Sequence, residues 1–215
     1  TPPQPRAVRI HFLGKEASRD EASAPLYYLA RALQPTATLA PQLTADEKLP
    51  AQAPDIVFAV GSAAADGLRD HLQRGGFLVV APSDAALLKA LGFELTITPD
   101  TSDDYRMLAE VKTEHPLLKP FADPKLRDFT KLRFWKHRVI AGTGLETLAT
   151  FDNGHPAILS ARVGKGTLIV LASGWHPADS HLALSTKFVP LLYGWLAAAG
   201  FSHDPAATLF VGDEL

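Results

Sequence analysis

Asp55-Ile56-Val57-Phe58-Ala59-Val60-Gly61 is a continuous apolar run closed by glycine, and Phe77-Leu78-Val79-Val80-Ala81 repeats the pattern after Gly75-Gly76. Short runs of this kind, apolar at every position, are typical of parallel strands buried on both faces. Between them, residues 62–74 have room for one helix, which Ser62 is placed to cap and Gly75-Gly76 to stop in a left-handed turn. Strand, helix and strand in close succession predict a mainly parallel sheet flanked by helices.

Working outward, Ala7-Val8-Arg9-Ile10-His11-Phe12-Leu13-Gly14 alternates and ends in glycine, as a strand does. Apolar residues at 26, 29, 30 and 33 have helical spacing, and Pro35 closes that helix. A short helix over 84–91, stopped by Gly92, and a strand over 94–98 follow the central pair. Residues 100–141 are less regular and more charged, and read as an insertion or lid on the sheet. Strands over 156–163 and 167–173 flank Gly164-Lys165-Gly166. A phosphate-binding loop needs Ser or Thr directly after its Gly-Lys, and glycine stands there, so a tight antiparallel hairpin is expected. Ser185 or Thr186 would cap a last apolar helix ending at Gly200, with Pro190 near its first turn. The first strand-to-helix loop has no GxGxxG, so the dinucleotide fingerprint is absent.

The 215 residues are 47% hydrophobic and 20% charged, enough to bury a substantial core. A formal charge of −2 argues against attraction of the whole protein to nucleic acid. With no cysteine, disulfides, thiolate metal sites and a cysteine nucleophile are excluded. Thr1-Pro2-Pro3-Gln4-Pro5 has neither the basic nor the apolar region of a signal peptide and reads as an extended linker. Thr208-Leu209-Phe210-Val211-Gly212 starts like a strand near the chain's end, so a segment of a longer protein is expected. The longest apolar stretch, 188–201, is too short and interrupted to span a bilayer.

The string Asp55-Ile56-Val57-Phe58, then Gly75-Gly76-Phe77-Leu78-Val79-Val80, Gly164-Lys165-Gly166 and Gly174-Trp175-His176-Pro177 resembles the class I glutamine-amidotransferase-like superfamily. The tail Ser180-His181-Leu182-Ala183-Leu184-Ser185-Thr186-Lys187-Phe188-Val189-Pro190-Leu191-Leu192 is similar to such domains in large bacterial membrane proteins with a BatA-type anchor, often carrying a von Willebrand A domain. The resemblance covers roughly residues 50–200, the scale of one domain. It implies a flavodoxin-like sheet, a place outside the cytoplasmic membrane and a parent anchored by transmembrane helices. The expected organisation is a linker over 1–6, an amidotransferase-like domain over 7–205 and the start of a truncated segment over 206–215.

Class I glutaminases carry a nucleophilic Cys on the turn after a strand like 77–81, activated by a His in a His-x-Glu motif. Here that turn is Ala81-Pro82-Ser83-Asp84, and Ala178 stands where the Glu would be after His176. Glutaminase activity is therefore not expected. Two other arrangements use the same residues. In one, Ser83 is a nucleophile, His176 its base and Asp179 the group that orients the imidazole; the structural alternative has Ser83 capping the following helix. In the other, His176, Asp179 and His181 hold a divalent metal; the alternative is polar residues solvating a loop. His115 and His155, each before proline in a turn, read as structural.

Residues 125–138 contain Lys125, Arg127, Lys131, Arg133, Lys136 and Arg138 against Asp128 alone, with Phe129, Phe134 and Trp135 between them. Such a run suits a solvated lid whose aromatics pack downward, a docking surface, anionic lipid or single-stranded nucleic acid. The lid leads, followed by docking through Lys131, Arg133, Trp135, Lys136 and Arg138, and nucleic acid is not expected. The partners would be other domains of the parent or envelope proteins, with no membrane insertion by this segment and no cofactor. A ligand crevice is expected at the strands' carboxyl ends, around Gly14, Gly61, Ser83 and His176. The leading expectation is a non-catalytic module for protein interaction or ligand binding, with the serine-type hydrolase as its rival.

Overall fold

The computed structural model describes residues 4–15, 18–63, 65–102 and 104–201. The strand expected at 208–212 and the segment boundary at 206 lie outside the described residues, as do residues 1–3 of the expected linker, whose last residue, Arg6, already opens the first strand. The elements are β1 (Arg6–Leu13), α1 (Pro25–Ala32), β2 (Leu39–Asp46), β3 (Ile56–Gly61), α2 (Leu68–Gln73), β4 (Phe77–Pro82), α3 (Ala86–Ala90), β5 (Leu95–Pro99), β6 (Leu108–Val111), β7 (Arg138–Gly142), β8 (Glu146–Phe151), β9 (Pro156–Val163), β10 (Gly166–Leu171) and α4 (Phe188–Ala198). Eight strands form one sheet in the order β2-β1-β3-β4-β10-β9-β8-β6, and β5 pairs with β7 in a second, small sheet. The first four pairings are parallel and the last three antiparallel.

Every residue of β4 and β10 is buried, which is why these strands are apolar but for Thr167, whose hydroxyl accepts from Arg162. Phe58 of β3 meets Trp175 and Trp195 edge-on or tilted, and Trp175 stacks towards Phe188, so α4 covers this face through its aromatics. The Trp175 indole N–H donates to the carbonyl of Pro25 at 2.9 Å, fastening the loop after β10 to the start of α1. Among the described residues, no helix is long and apolar enough to cross a membrane.

Several expectations need correction. The helix read over 62–74 starts only at Leu68, because Gly67 before it takes a left-handed φ of 75°. Ser62 caps nothing and bonds elsewhere. The helix read over 84–91 is shorter, Ala86–Ala90. The final helix begins at Phe188 with no side-chain cap: Ser185 donates instead to the Leu182 carbonyl. The region 100–141 is more than a lid, since β6 forms the far edge of the main sheet and β7 pairs with β5. Strands β2 and β8 have no counterpart in the sequence reading. The hairpin around Gly164-Lys165-Gly166 is present, with Val163 opposite Gly166.

Candidate functional site

At the carboxyl ends of β1, β3, β4 and β10 the chain turns into loops around two adjoining cavities. One, of about 400 Å³, lies between β1 and β3 and is lined by Phe12, Gly14, Lys15, Glu47, Gly61 and Ser62 among others. The strand order reverses direction here, and open α/β sheets tend to bind ligands at such a point. The second, of about 290 Å³, runs from Gly61 and Ser83 past β10 to Asp100, Lys136, His137, Arg138 and Asp179. Gly61 lines both. Of the expected crevice residues, Gly14, Gly61 and Ser83 are therefore brought to this edge, while His176 lies outside both linings.

Ser83 sits in a short chain of polar contacts across β3 and β4. Its Oγ lies 2.7 Å from that of Ser62, and both hydroxyls reach Asp84 Oδ2, Ser62 at 2.7 Å and Ser83 at 3.2 Å. The other carboxylate oxygen accepts the Ala86 N–H at 2.8 Å. The hydrogen bond from Ser62, then that from Ala86, hold the Asp84 carboxyl below the usual carboxylate range. A carboxylate stabilised in its charged form is a weak base for a serine hydroxyl. Asp84, and neither Ser62 nor Ser83, thus receives the backbone at the start of α3.

His176 is fixed by backbone on both sides. Its Nε2 donates to the Ala22 carbonyl at 2.9 Å and its Nδ1 accepts the Ala178 N–H at 3.1 Å, while the ring meets Tyr28 edge-on. Neither nitrogen is left to take a proton from Ser83, so the geometry does not assemble the Ser83–His176–Asp179 relay. Among the described residues, His176, Asp179 and His181 do not form a converging ligand set, and the His181 ring packs edge-on against Trp135 at 4.3 Å.

Among the described residues, the set that converges is Asp100, His137 and His155, whose ligand-type atoms all lie within 4.8 Å of one another. Backbone pairing places the first two, because the Asp100 N–H donates to the His137 carbonyl where β5 and β7 part. His155 comes from the β8–β9 turn and offers its Nδ1 at 3.2 Å from His137 Nε2. Asp100 Oδ2 lies 3.5 Å from His137 Nδ1 and 3.8 Å from Arg106 Nε, and accepts the Ser102 hydroxyl at 2.6 Å. Burial pushes His137 below the ordinary histidine value, with the Asp100 charge opposing and His155 and Arg106 adding to the shift. Sequence reading took His155 as structural and passed over His137. The only available signal was two imidazoles and a carboxylate in separate segments, with nothing in their spacing to join them.

The basic run splits by facing. Leu132, Phe134 and His137 are buried while Lys131, Arg133, Trp135 and Lys136 are exposed, an alternation typical of extended chain. Phe134 bridges to Arg106 on one side and Ser180 on the other. Arg133 lies over the Tyr105 ring at 4.7 Å. Lys136 and Arg138, expected on a docking surface, also line the crevice.

Residues 53–183 match the model of a family described as a domain of unknown function, DUF4350. None of the curated proteins matches the chain. Among solved structures, a cytoplasmic protein from Salmonella typhimurium, STM3548, is similar with a TM-score of 0.64 at 12% identity, over 89% of this chain and 98% of that one. A β-galactosidase from Rahnella sp. R3 is similar with a TM-score of 0.61 at 16% identity over 91% of this chain, which spans only 32% of the enzyme's length. PurLQS from Thermotoga maritima is similar with a TM-score of 0.55 at 11% identity, over 91% of this chain and 99% of that one. At these identities the likeness concerns the fold alone.

Proposed function

We propose that this chain, which belongs to the DUF4350 family, is a non-catalytic, class I amidotransferase-like module that binds a small polar ligand at the carboxyl ends of its parallel strands. The observation that carries the reading is the state of the would-be catalytic groups. Ser83 is held by Ser62 and Asp84, and both nitrogens of His176 are engaged by backbone. The neighbouring cavity nevertheless has room of about 290 Å³. Lys136, Arg138, Asp100 and Asp179 line it, so side chains of both signs border the space, with Lys136 Nζ 3.9 Å from Asp179 Oδ1. That combination suits a zwitterion such as a free amino acid, whose carboxylate and ammonium each find a partner.

The parallel strand order β2-β1-β3-β4-β10 supports a flavodoxin-like sheet. By resemblance, the module belongs to an envelope-anchored parent and lies outside the cytoplasmic membrane, with its exposed Lys131, Arg133 and Trp135 available to neighbouring domains. Two measurements on the purified chain test the reading. Ammonia release from glutamine and hydrolysis of p-nitrophenyl acetate are expected at the buffer rate. Calorimetric titration with glutamine and glycine is expected to give binding that Arg138→Glu weakens at least tenfold. Turnover abolished by Ser83→Ala would instead establish the serine hydrolase. Absence of both turnover and amino-acid binding would reject the ligand class.

A further inference from the structure

We propose that His137 and His155, oriented by Asp100, form a binding site for a zinc-like divalent transition metal at the margin of the crevice. The His155 backbone N–H donates to Asn153 Oδ1 at 3.1 Å, which fixes the orientation of that amide and aims its NH₂ group at His155 Nδ1, 3.0 Å away. His155 Nδ1 is therefore an acceptor, and its single lone pair is held by the Asn153 NH₂ group. His137 Nε2 sits 3.2 Å from the same nitrogen, and His137 Nδ1 faces the Asp100 carboxylate at 3.5 Å.

A neutral imidazole has one N–H and cannot serve both neighbours. With the proton on Nδ1, His137 satisfies Asp100, but its Nε2 then meets His155 lone pair to lone pair. With the proton on Nε2, a bare Nδ1 faces a carboxylate. A metal ion that takes the His155 Nδ1 lone pair from the Asn153 amide and bridges to His137 Nε2 removes the conflict and leaves Nδ1–H to Asp100. The result is the carboxylate–histidine–metal arrangement in which the outer carboxylate fixes tautomer and ring orientation. The spacing agrees: two nitrogens about 2.0–2.1 Å from a tetrahedral zinc stand roughly 3.3 Å apart, close to the 3.2 Å between these nitrogens.

The supports are rigid. The His137 side chain is 2% exposed, its ring rests on Phe151 at 4.6 Å, and the β5–β7 register holds Asp100 beside it. The charges that act most on His137 are Asp100 and Asp152 against Arg106, and Lys136 and Arg138 flank it in the same cavity lining. Asp100 and His137 also line the crevice, which lets water or a ligand group approach the remaining metal positions.

The test uses the purified chain stripped with EDTA and titrated with Zn²⁺ against a chromophoric chelator, with Co²⁺ absorption as a second readout. One equivalent is expected to bind with micromolar or tighter affinity. His155→Ala, in a surface turn, should lower the affinity at least a hundredfold with an unchanged circular dichroism spectrum. Asp100→Asn should lower it about 10–100-fold. Absence of stoichiometric binding overturns the site, as does Zn²⁺ affinity unaltered in His155→Ala, which would transfer the metal to other histidines. Full retention in Asp100→Asn would overturn the orienting role.

Discussion

His71 and His11 show what a buried neutral imidazole demands of its surroundings. His71 on α2 is 5% exposed and donates from Nε2 to the Phe77 carbonyl at 3.2 Å. Its ring lies so close to Gly76 that a Cβ there would fall within 2.2–2.4 Å of three ring atoms. The glycine before β4 is thus required by a histidine, while the left-handed turn falls on Gly75, with φ of 102°. His11 in β1, 1% exposed, has Thr44 Oγ1 at Nδ1 and the Lys48 carbonyl at Nε2. Burial pushes both below the ordinary value, and the carbonyl bonds offset only part of this. An unfolded histidine titrates near pH 6.5, so below that pH the unfolded chain takes up protons first. The stability these groups contribute is therefore present above about pH 6.5 and lost as pH falls towards their depressed folded values. Urea unfolding midpoints should hold steady from pH 8 to 7 and drop between 6.5 and 5, with a shallower drop in His71→Gln. An identical midpoint at pH 5.5 and 7.5 would show that neither imidazole is buried in its neutral form.

The hairpin between β9 and β10 turns at Gly164-Lys165. A Cβ on Gly166 would come within 2.4 Å of the Leu72 carbonyl oxygen and 2.5 Å of that of Gly76, both backbone atoms that cannot swing aside. The turn is thereby wedged under the end of α2, whereas Lys165 is exposed. Gly166→Ala should cost about 1–3 kcal/mol, the range of overpacking, and Lys165→Ala should stay within about 0.5 kcal/mol, as surface changes do. Denaturant titration of both variants measures this, and a large loss in Lys165→Ala would reopen a functional role for that lysine. This hairpin was legible because glycine and strand signals agree locally. Strands β3 and β4 were legible because burial on both faces leaves no polar positions. Strand β2 was not, because it is an edge: its burial alternates and it includes Pro41, whose missing N–H an edge tolerates. Side-chain sites were harder still. Ser62 and Ser83 meet from separate strands 21 residues apart, and His137 and His155 across 18 residues, distances set by register and turns. No local spacing in the chain encodes them.

Across the whole molecule, β10 is the strand on which the two halves of the sheet depend. It pairs in parallel with β4 on one side and antiparallel with β9 on the other, and all six of its residues are buried. The parallel half ends in the crevice, and the antiparallel half, through the β8–β9 turn, supplies His155 to the same region. A break at β10 would separate the proposed metal ligands from the strands that form the cavity. Amides bonded on both sides of a buried strand exchange with solvent only when the sheet opens as a whole, whereas edge amides open locally. Hydrogen exchange should therefore be slowest, and uniform, in β3, β4 and β10, and faster in β2 and β6 at the two edges. Ile169→Ala, at a site fully shielded from solvent, should cost about 2–5 kcal/mol and speed exchange in both halves together. If only the antiparallel strands responded, the sheet would consist of two units that open independently. The crevice would then be a junction able to loosen from one side, and a ligand or metal spanning it would gain affinity by holding the halves together.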